Sequence, residues 1–413
     1  MFPKIPRARI YWSMRLTLQS LAILLSGGLV KGGAIERFRE ALRKYLGCRY
    51  VILTSCGKIS LYATLKVLKL DESDEVILPA YTVPEVVEVI LACNLVPVFV
   101  DIDETTYNMN EAAIEAAIGT RSKVILMTHM YGRPCNVDCI MALAKKYHLS
   151  VIEDAAQTIG AEYNGKKVGT FGRAGYFSFG MMKHFNTLGG SALVTDDPMM
   201  YRDMLSVVEK YPYPTQWSQI KLLCKAMMLH IATNSIVFSI CGYPIVFLLR
   251  LFGKKFLYNA LAGRPIQERF SEDFLDRVRH RFANLQGAIG LMQLRSLERN
   301  NEARVRNAGI LNDILQLPHS TCTNHIYSQY VLLFKDREEA AARLFNEGID
   351  VTNGYLENCG ARFSDGKRND SFIKSSLAEQ HNLYIPIYPS LTERRMKGIA
   401  LCIQKMYGHI AIL

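Results

Sequence analysis

The chain alternates short apolar runs with stretches of helical periodicity. From residue 49 onward, runs of the length of a buried strand are followed by segments in which apolar residues recur every three to four positions. We predict strands at Tyr50–Leu53, Val76–Leu78, Val96–Val100, Val124–Met127, Val151–Ile152, Gly175–Phe179 and Ala192–Val194. We predict helices at Ile59–Leu68, Val83–Leu91, Glu111–Ile118 and Cys139–Tyr147. This alternation predicts a doubly wound α/β domain with a mixed, mostly parallel sheet.

The pattern differs on both sides of this domain. Basic residues precede the apolar stretch Leu16–Leu25, and we predict a basic amphipathic helical segment there, with an export signal as the alternative. Towards the other end, a helix at Arg281–Leu297, a strand at Ile326–Phe334 and a helix at Glu338–Glu347 are typical of a small α+β domain. The predicted units are an N-terminal helical segment at 1–48, a large α/β domain at 49–218, an apolar insertion at 219–260, and a small C-terminal domain at 261–413 that includes an interface helix at 281–297.

The apolar insertion contains an uncharged stretch. Ala226–Leu249 has no Asp, Glu, Lys or Arg over 24 residues, and basic residues flank it on both sides. That length would cross a bilayer once, but a single crossing would separate the two halves of one globular protein. We therefore predict a re-entrant or in-plane helical hairpin, broken near Gly242-Tyr243-Pro244, or else a buried hairpin that covers the core. The basic flanks favour contact with a membrane surface.

Composition narrows the classes of protein. The 413 residues include 49 Lys and Arg against 38 Asp and Glu, a net charge of +11, and 49% are hydrophobic. Such a chain can bury a sizeable core, which excludes a disordered or collagen-like protein. The positive charge favours phosphorylated substrates or anionic lipid, or else reflects only a solvated surface. No nucleic-acid motif is present, and we expect no such partner. Ten scattered cysteines predict reduced thiols in the cytosol and no metal site.

The first segment suited to chemistry is Ser55-Cys56-Gly57-Lys58, between a predicted strand and helix. Glycine lets the backbone approach an anion, the helix N-terminus offers free N–H groups, and Lys58 adds a positive charge. Many strand–helix turns contain glycine without binding anything. In sheets of this kind, however, ligands bind beyond the carboxyl ends of the strands, which is where this turn lies.

Two further segments follow later strands. The segment VIEDAAQ, 151–157, places Asp154 and Gln157 at the end of an apolar strand. A carboxylate there needs a partner, which is either a protonated ring nitrogen of a cofactor or a structural arginine or helix N-cap. The segment FSFGMMK, 177–183, ends a strand with Ser178 and presents Lys183 in a mostly apolar loop. A lysine amine in such a loop is either a nucleophile towards a carbonyl or simply solvated.

In this order and spacing, the three segments resemble the DegT/StrS family of sugar aminotransferases. These are pyridoxal phosphate (PLP) enzymes of the aspartate aminotransferase fold, also called fold type I. The resemblance extends over nearly the whole chain and includes DEVILPAYT, VPVFVDID, RFANLQGAIGLMQL and LYIPIYPSLT. Its most specific part runs from EDAAQ through FSF to the lysine. It implies a large doubly wound domain plus a small C-terminal α+β domain.

The resemblance also implies roles for individual residues. Lys183 corresponds to the lysine that carries PLP and moves the proton in catalysis, and Asp154 to the partner of the pyridine nitrogen. Gln157 would bond the hydroxyl side of the ring. Ser178 would bind the phosphate together with the helix N-terminus at Gly57 and Lys58. The implied reaction moves an amino group, usually from glutamate, to a nucleotide- or lipid-linked keto-sugar for cell-surface glycan synthesis, in a homodimer.

Several positions depart from the family pattern. Lys58 replaces a threonine, and Val83 replaces the aromatic residue that often covers the cofactor ring, so we consider Tyr81 as a substitute. Arg279 aligns with an asparagine that binds phosphate from the partner subunit. These differences indicate a divergent branch. We keep two alternatives open. The first is a PLP-dependent sugar dehydratase, because relatives of that kind have histidine in place of the lysine and His184 lies beside Lys183. The second is a catalytically inactive membrane scaffold or regulator, because Val83 and the altered glycine loop Thr187-Leu188-Gly189-Gly190 depart from the family pattern. We expect a cytoplasmic protein that is peripheral or monotopic at the inner face of the cytoplasmic membrane.

Overall fold

The computed structural model of the protein describes residues 3–10, 12, 14–252, 277–318, 324–364 and 372–408. The predicted insertion and small domain both extend into 253–276, and that part of each prediction lies outside the described residues.

A seven-stranded sheet forms the centre of the large domain. Its spatial order is β1-β10-β9-β6-β5-β2-β4, and every neighbouring pair is parallel except those that involve β10. The strands of this sheet are β1 Tyr50–Thr54, β2 Glu75–Pro79, β4 Val96–Val100, β5 Ser122–Thr128, β6 Ser150–Asp154, β9 Ala174–Ser178 and β10 Ser191–Thr195. All seven predicted strands are confirmed. They read as continuous apolar runs because helices cover both faces of the sheet.

Helices alternate with these strands, as predicted. They are α1 Met14–Leu25, α2 Ala34–Leu46, α3 Gly57–Val67, α4 Pro84–Ala92, α5 Glu111–Ala117, α6 Val137–Lys146 and α7 Pro198–Val208. Short strand pairs join β3 Tyr81–Thr82 with β12 Glu357–Asn358, and β7 Glu162–Tyr163 with β8 Lys166–Lys167. The architecture is therefore the predicted α/β domain with a mixed, mostly parallel sheet.

The small domain packs on one end of a long helix. Its elements are α11 Asn284–Leu315, β11 Tyr330–Leu333, α12 Arg337–Asn346, α13 Cys359–Phe363, α14 Ile373–His381, β13 Asn382–Ile385 and α15 Glu393–Tyr407. The predicted helix 281–297 is thus too short, because α11 continues through the mostly polar residues 298–307 to Leu315. Its first part packs against α2 and its second part against α15, so that tertiary contacts hold a helix whose sequence lacks a strong apolar period at that point.

The N-terminal segment is divided between the two domains. Ile5 pairs with Ile349 and belongs to the core of the small domain, where Arg7 also forms two hydrogen bonds of 2.7 Å to Asp350. Leu16 of α1 instead packs in a cluster with Leu285 of α11. The segment predicted as one helical unit at 1–48 therefore contacts both domains.

The described part of the apolar insertion consists of α8 Gln216–Ala232, α9 Ser235–Val237, a π-helical turn Phe238–Gly242 and α10 Tyr243–Leu251. The predicted break near Gly242-Tyr243-Pro244 is wrong. The wide π turn accommodates the N–H that Pro244 lacks, so the helix continues there. The bend lies at Thr233 and Asn234 instead, because Asn234 caps the next helix by accepting from the N–H of Ile236.

Within the described residues, no single helix is long and apolar enough to cross a membrane. The helices Gln216–Ala232 and Ser235–Arg250 meet the length and composition criteria only as a pair, and they are bent by 66° relative to each other. One face of this pair is covered by the protein: Leu223 packs in the cluster with Leu16, and the Tyr243 ring stacks on Phe345 at 4.5 Å.

Two glycines of α11 offer a matched test of its packing against α2. A Cβ on Gly287 would lie 2.7 Å from the backbone oxygen of Ala34, whereas a Cβ on Gly309 would meet nothing within 4 Å. We expect Gly287→Ala to lower the free energy of unfolding by about 1–3 kcal/mol through steric overlap. Gly309→Ala should raise it by about 0.5–1 kcal/mol through helix propensity. Urea unfolding of both variants checks this, and equal effects would contradict the packing.

Candidate active site

The cavity that is lined by most of the candidate residues lies at the carboxyl ends of β6 and β9. It has a volume of about 690 Å³, within the usual range for a cofactor or substrate site. Of the residues singled out from the sequence, Gly57, Lys58, Asp154, Ser178 and Lys183 all line it. β6 and β9 are parallel neighbours, so their carboxyl ends meet at one edge of the sheet. The fold therefore brings together five residues that the sequence spreads over 127 positions, from 57 to 183.

Asp154 lies at the buried end of the cavity. The residue is 6% exposed, and one carboxylate oxygen accepts a hydrogen bond of 3.0 Å from the N–H of Ala156. Burial raises the pKa of Asp154, and the positive charge of Lys183 opposes that rise. Among the described residues, no Lys or Arg forms an ion pair with this carboxylate. A buried carboxylate without such a partner suits a cationic group of a ligand.

Tyr176 lies beside Asp154 in the cavity wall. Burial raises the pKa of Tyr176 well above its ordinary value, and the negative charge of Asp154 raises it further. The phenol therefore stays protonated at neutral pH. No sequence signal distinguishes this residue, because a tyrosine in a buried strand is an ordinary core residue.

Lys183 reaches the cavity from the loop that follows β9. Its Nζ donates a hydrogen bond of 2.8 Å to the hydroxyl of Tyr355, which belongs to the C-terminal part of the chain. Tyr355 lies between Thr352, which bridges to Tyr384 of β13, and β12, which pairs with β3 of the large domain. Both domains thus hold the segment that positions the lysine.

No sequence signal marks Tyr355, because its role depends on a contact across 172 positions. The preceding Gly354 is required by the fold: its φ is +74°, and a Cβ there would lie 2.3 Å from the ring of Tyr384. A glycine before an aromatic residue in a turn would have been the only local indication.

The first turn of α3 has the features of an anion site. Gly57 begins the helix, and the side chain of its N-cap, Cys56, makes no capping hydrogen bond, so the first N–H groups stay available. The hydroxyl-bearing Ser178 lies close by, since a Cβ on Gly57 would be 3.6 Å from the Cβ of Ser178. Lys58 lies at the same helix end, with its Nζ 3.5 Å from Glu85. Such a helix N-terminus suits a phosphate group.

Three of the predicted residues do not line this cavity. Tyr81 is fully buried, and its hydroxyl bonds to Tyr131 and Asn382, both at 3.1 Å. The structure therefore does not place Tyr81 over a cofactor ring, whereas Val83 does line the cavity. The amide oxygen of Gln157 accepts from the N–H of Tyr131 at 3.4 Å, behind the cavity wall.

Arg279 also lies away from the cavity formed by its own chain. Its guanidinium lies 5.7 Å from the ring of Tyr62 on α3. The predicted role of Arg279 concerns the site of a partner subunit.

Comparison with known proteins gives the family. The profile of the DegT/DnrJ/EryC1/StrS aminotransferase family matches residues 16–216 and 262–404. An uncharacterized protein of Methanocaldococcus jannaschii is 41% identical over 402 residues, which cover 93% of this chain and 92% of that protein. The dTDP-3-amino-3,6-dideoxy-alpha-D-galactopyranose transaminase of Aneurinibacillus thermoaerophilus is 36% identical over 394 residues, 94% of this chain and 93% of that enzyme.

Among solved structures, an aminotransferase from Psychrobacter cryohalolentis superposes with a TM-score of 0.76 at 21% identity, and covers 99% of this chain and 100% of that one. The chain belongs to the DegT/DnrJ/EryC1/StrS aminotransferase family. It has the type I fold and is a PLP-dependent aminotransferase, as the resemblance implied.

The cavity fits PLP on its own geometry. The cofactor has a phosphate, a ring nitrogen that can be protonated and an aldehyde, and the cavity offers a matching group for each. These are the helix N-terminus at Gly57 with Ser178, the buried carboxylate of Asp154 and the amine of Lys183. The predicted assignments of these residues therefore remain consistent with the structure.

His184, next to the lysine, predicts a pH dependence of stability. Burial, together with the nearby charges of Arg304 and Lys183, lowers the pKa of His184 from 6.5 to about 3. The neutral ring lies with Nε2 3.2 Å from the carbonyl oxygen of Ile159. Below pH 6.5, the unfolded chain binds a proton that the folded chain does not. Stability should therefore fall by about 1.4 kcal/mol per pH unit as the pH drops towards 3.

We expect His184→Asn to lose this contribution to the slope between about pH 4 and pH 6.5, as measured by urea unfolding. His148→Asn, at an exposed histidine, is the control and should keep the slope of the unmodified protein. If His184→Asn also keeps that slope, the imidazole is not held neutral by the fold.

Proposed function

We propose that this aminotransferase moves an amino group from an amino acid, with glutamate as the expected donor, to a keto-sugar carried by a nucleotide or a lipid. The observation that carries the proposal is that Asp154 and Lys183 line one cavity beside a phosphate cradle. The named activities of relatives similar over nearly their whole length, such as the Aneurinibacillus thermoaerophilus transaminase, support a sugar as the acceptor.

Each residue has a defined task in this reaction. PLP, when bound, supplies a ring that withdraws electrons from the reacting carbon. The carboxylate of Asp154 would hold a proton on the ring nitrogen, and the N–H groups at the start of α3, with Ser178, would bind the phosphate. The amine of Lys183 would carry the cofactor and then move a proton between the substrate carbon and the cofactor carbon. Tyr355 positions that amine through its 2.8 Å hydrogen bond.

The two alternative functions find less support. The dehydratase alternative rested on relatives that have histidine in place of the lysine, whereas this chain keeps Lys183 in the cavity and turns the neighbouring His184 towards the carbonyl of Ile159. The scaffold alternative rested on an altered glycine loop and on Val83. A cavity of about 690 Å³ with the catalytic groups in place argues against a site that has been lost.

We further propose that the enzyme is a homodimer that attaches to the cytoplasmic face of a membrane through the apolar insertion. The side of α8–α10 that faces away from the protein carries large apolar residues that are 45–71% exposed. They are Trp217, Met228, Ile231, Ile236, Ile240, Ile245, Phe247, Leu248 and Phe252. So many exposed apolar side chains on one insertion are unusual for a soluble surface.

The charge around this surface favours anionic lipid. No acidic residue occurs between Glu209 and Glu268, whereas Lys221, Lys225 and Arg250 accompany the apolar residues. The ammonium of Lys221 also lies 5.6 Å from the ring of Trp217, an aromatic residue of the kind enriched at membrane interfaces. The family profile leaves residues 217–261 unmatched, which is consistent with a property particular to this branch.

The catalytic proposal predicts a covalent link at one lysine. Borohydride reduction of the yellow holoenzyme should fix PLP to the peptide that contains Lys183, detected by mass spectrometry. Lys183→Ala should abolish that adduct and lower transamination by about 10²–10⁴-fold or more, because the group that moves the proton is lost. The control is Lys397→Ala, at an exposed lysine of α15, which should keep both. An adduct at another residue, or an active Lys183→Ala enzyme, would contradict the assignment.

The membrane proposal predicts selective binding to anionic vesicles. The triple variant Ile236→Ser/Ile240→Ser/Ile245→Ser should lose cosedimentation with phosphatidylglycerol-containing vesicles by at least about tenfold, because each side chain contributes about 1–2 kcal/mol when it leaves water. Leu91→Ser/Met199→Ser/Leu401→Ser removes exposed apolar residues elsewhere on the surface and is the control. An unmodified protein that stays in the supernatant with these vesicles would overturn the membrane proposal.

The dimer is tested separately by sedimentation equilibrium, which should give twice the mass of one chain.

A further inference from the structure

A second cavity also has Lys183 in its wall. It measures about 280 Å³, and its charged lining is entirely basic: Arg9, Arg299, Arg304 and Arg306 contribute to it together with Lys183. His184 and Asn186 are among its polar neighbours, and no Asp or Glu of the described chain lines it. None of the roles derived above uses this basic cavity.

The arginines reach the cavity from two elements. Arg299, Arg304 and Arg306 lie on α11, and Arg9 lies on the N-terminal segment. Residues 299, 303 and 306 lie on one face of the helix. The small Ala303 lies between Arg299 and Arg306 and leaves room between their guanidinium groups. Arg7, two residues from Arg9, is satisfied by its ion pair with Asp350 at 2.7 Å and lies outside this cavity.

Arg304 is the cation that most needs a partner. Its Nε is buried and bonds to no described atom, and no described carboxylate forms an ion pair with its guanidinium. Burial lowers the pKa of Arg304 to about 10, so the group stays charged at neutral pH. A buried charge without a counter-ion is costly, and an anionic ligand would remove that cost.

The basic cavity connects to the active-site cavity around Lys183. A small intermediate cavity of about 120 Å³ shares Arg9, His184, Arg304 and Tyr388 with the basic cavity, and Lys183 with both. It shares Met181, Met182, Gly354 and Tyr355 with the active-site cavity. A ligand that lies beside the amine of Lys183 can therefore extend towards the arginines.

We propose that the basic cavity binds a carboxylate of a dicarboxylic amino donor, while the amino group of the donor would replace the Lys183 amine at the cofactor carbon and leave that amine free. This inference rests on the proposed transamination, since it names how the donor is selected. Guanidinium groups bind carboxylates through paired hydrogen bonds, and the excess of arginine over acidic residues suits a dianion. The cofactor phosphate already has its own cradle at α3. A cavity of about 280 Å³ suits the short side chain of a dicarboxylic acid better than a whole nucleotide carrier.

The test compares two amino donors in the first half-reaction of the holoenzyme. Conversion of the bound cofactor is followed by its absorbance change with L-glutamate or L-alanine, which lacks the second carboxylate. In Arg304→Gln, and in the double variant Arg299→Gln/Arg306→Gln, the apparent Kd for L-glutamate should rise about 10- to 100-fold through loss of charge-assisted hydrogen bonds. Values for L-alanine should change less than about threefold. Arg295→Gln, one turn earlier on α11 and exposed, is the matched control.

Succinate binding gives a second readout that does not need turnover. Isothermal titration with succinate, a dicarboxylate without an amino group, should detect binding to the unmodified holoenzyme and to Arg295→Gln. Binding should weaken at least about tenfold in both cavity variants. The double variant changes exposed residues only, so it keeps the test valid if Arg304→Gln fails to fold.

Three results would overturn the inference. The first is that the cavity variants bind succinate and L-glutamate as tightly as the unmodified holoenzyme does. The second is an equal loss for glutamate and alanine, which would indicate a general disturbance of Lys183. The third concerns pyrophosphate, titrated in the same way as succinate. If the cavity variants keep succinate binding but lose pyrophosphate binding, the cavity binds a phosphate of the acceptor instead. If no amino donor converts the unmodified holoenzyme, the proposed function fails, while the succinate measurement still decides the cavity.

Discussion

A carboxylate at the buried end of β6 sets the condition that the rest of the active site meets. Asp154 is almost fully removed from water and has no basic side chain paired with it in the described chain, so a cationic group of a ligand would stabilise its charged form. A protonated ring nitrogen is such a cation. The phosphate cradle at α3 and the amine of Lys183 are the two further groups that a PLP molecule in this cavity would need. All three come together because their strands and turns end at one edge of the sheet.

The large domain alone does not complete this site. Tyr355 bonds to Lys183 from a segment that pairs on one side with β13 of the small domain and on the other with β3 of the large one. The helix α11 also joins both domains, since α2 packs on its first part and α15 on its second. Movement of one domain against the other would therefore change the surroundings of the reactive amine directly.

The apolar insertion is tied to the same region of the protein. The carbonyl oxygen of Thr233, at the bend between its helices, accepts a hydrogen bond of 2.9 Å from Arg9, which also lines the basic cavity beside Lys183. The ring of His230 lies 3.0 Å from the carbonyl of Ile10 in the same N-terminal segment. The proposed lipid-binding surface and the proposed substrate-binding cavity would thus be connected through one short N-terminal segment.

The amino-acid sequence by itself determined the class of fold, because strand-length apolar runs alternating with helical periods leave few arrangements other than a doubly wound sheet. It also singled out Lys183, Asp154, Ser178, Gly57 and Lys58 as candidates, since each lies at the end of a predicted strand or in the segment that follows one. Only the tertiary structure placed Tyr355 at the lysine, enclosed Tyr81 among other tyrosines and gathered the arginines around Arg304. These contacts join residues far apart in the chain, and local pattern carries no information about them. The bend at Thr233 and Asn234 likewise depended on which polar residue captured a backbone N–H, although Pro244 gave the stronger local signal.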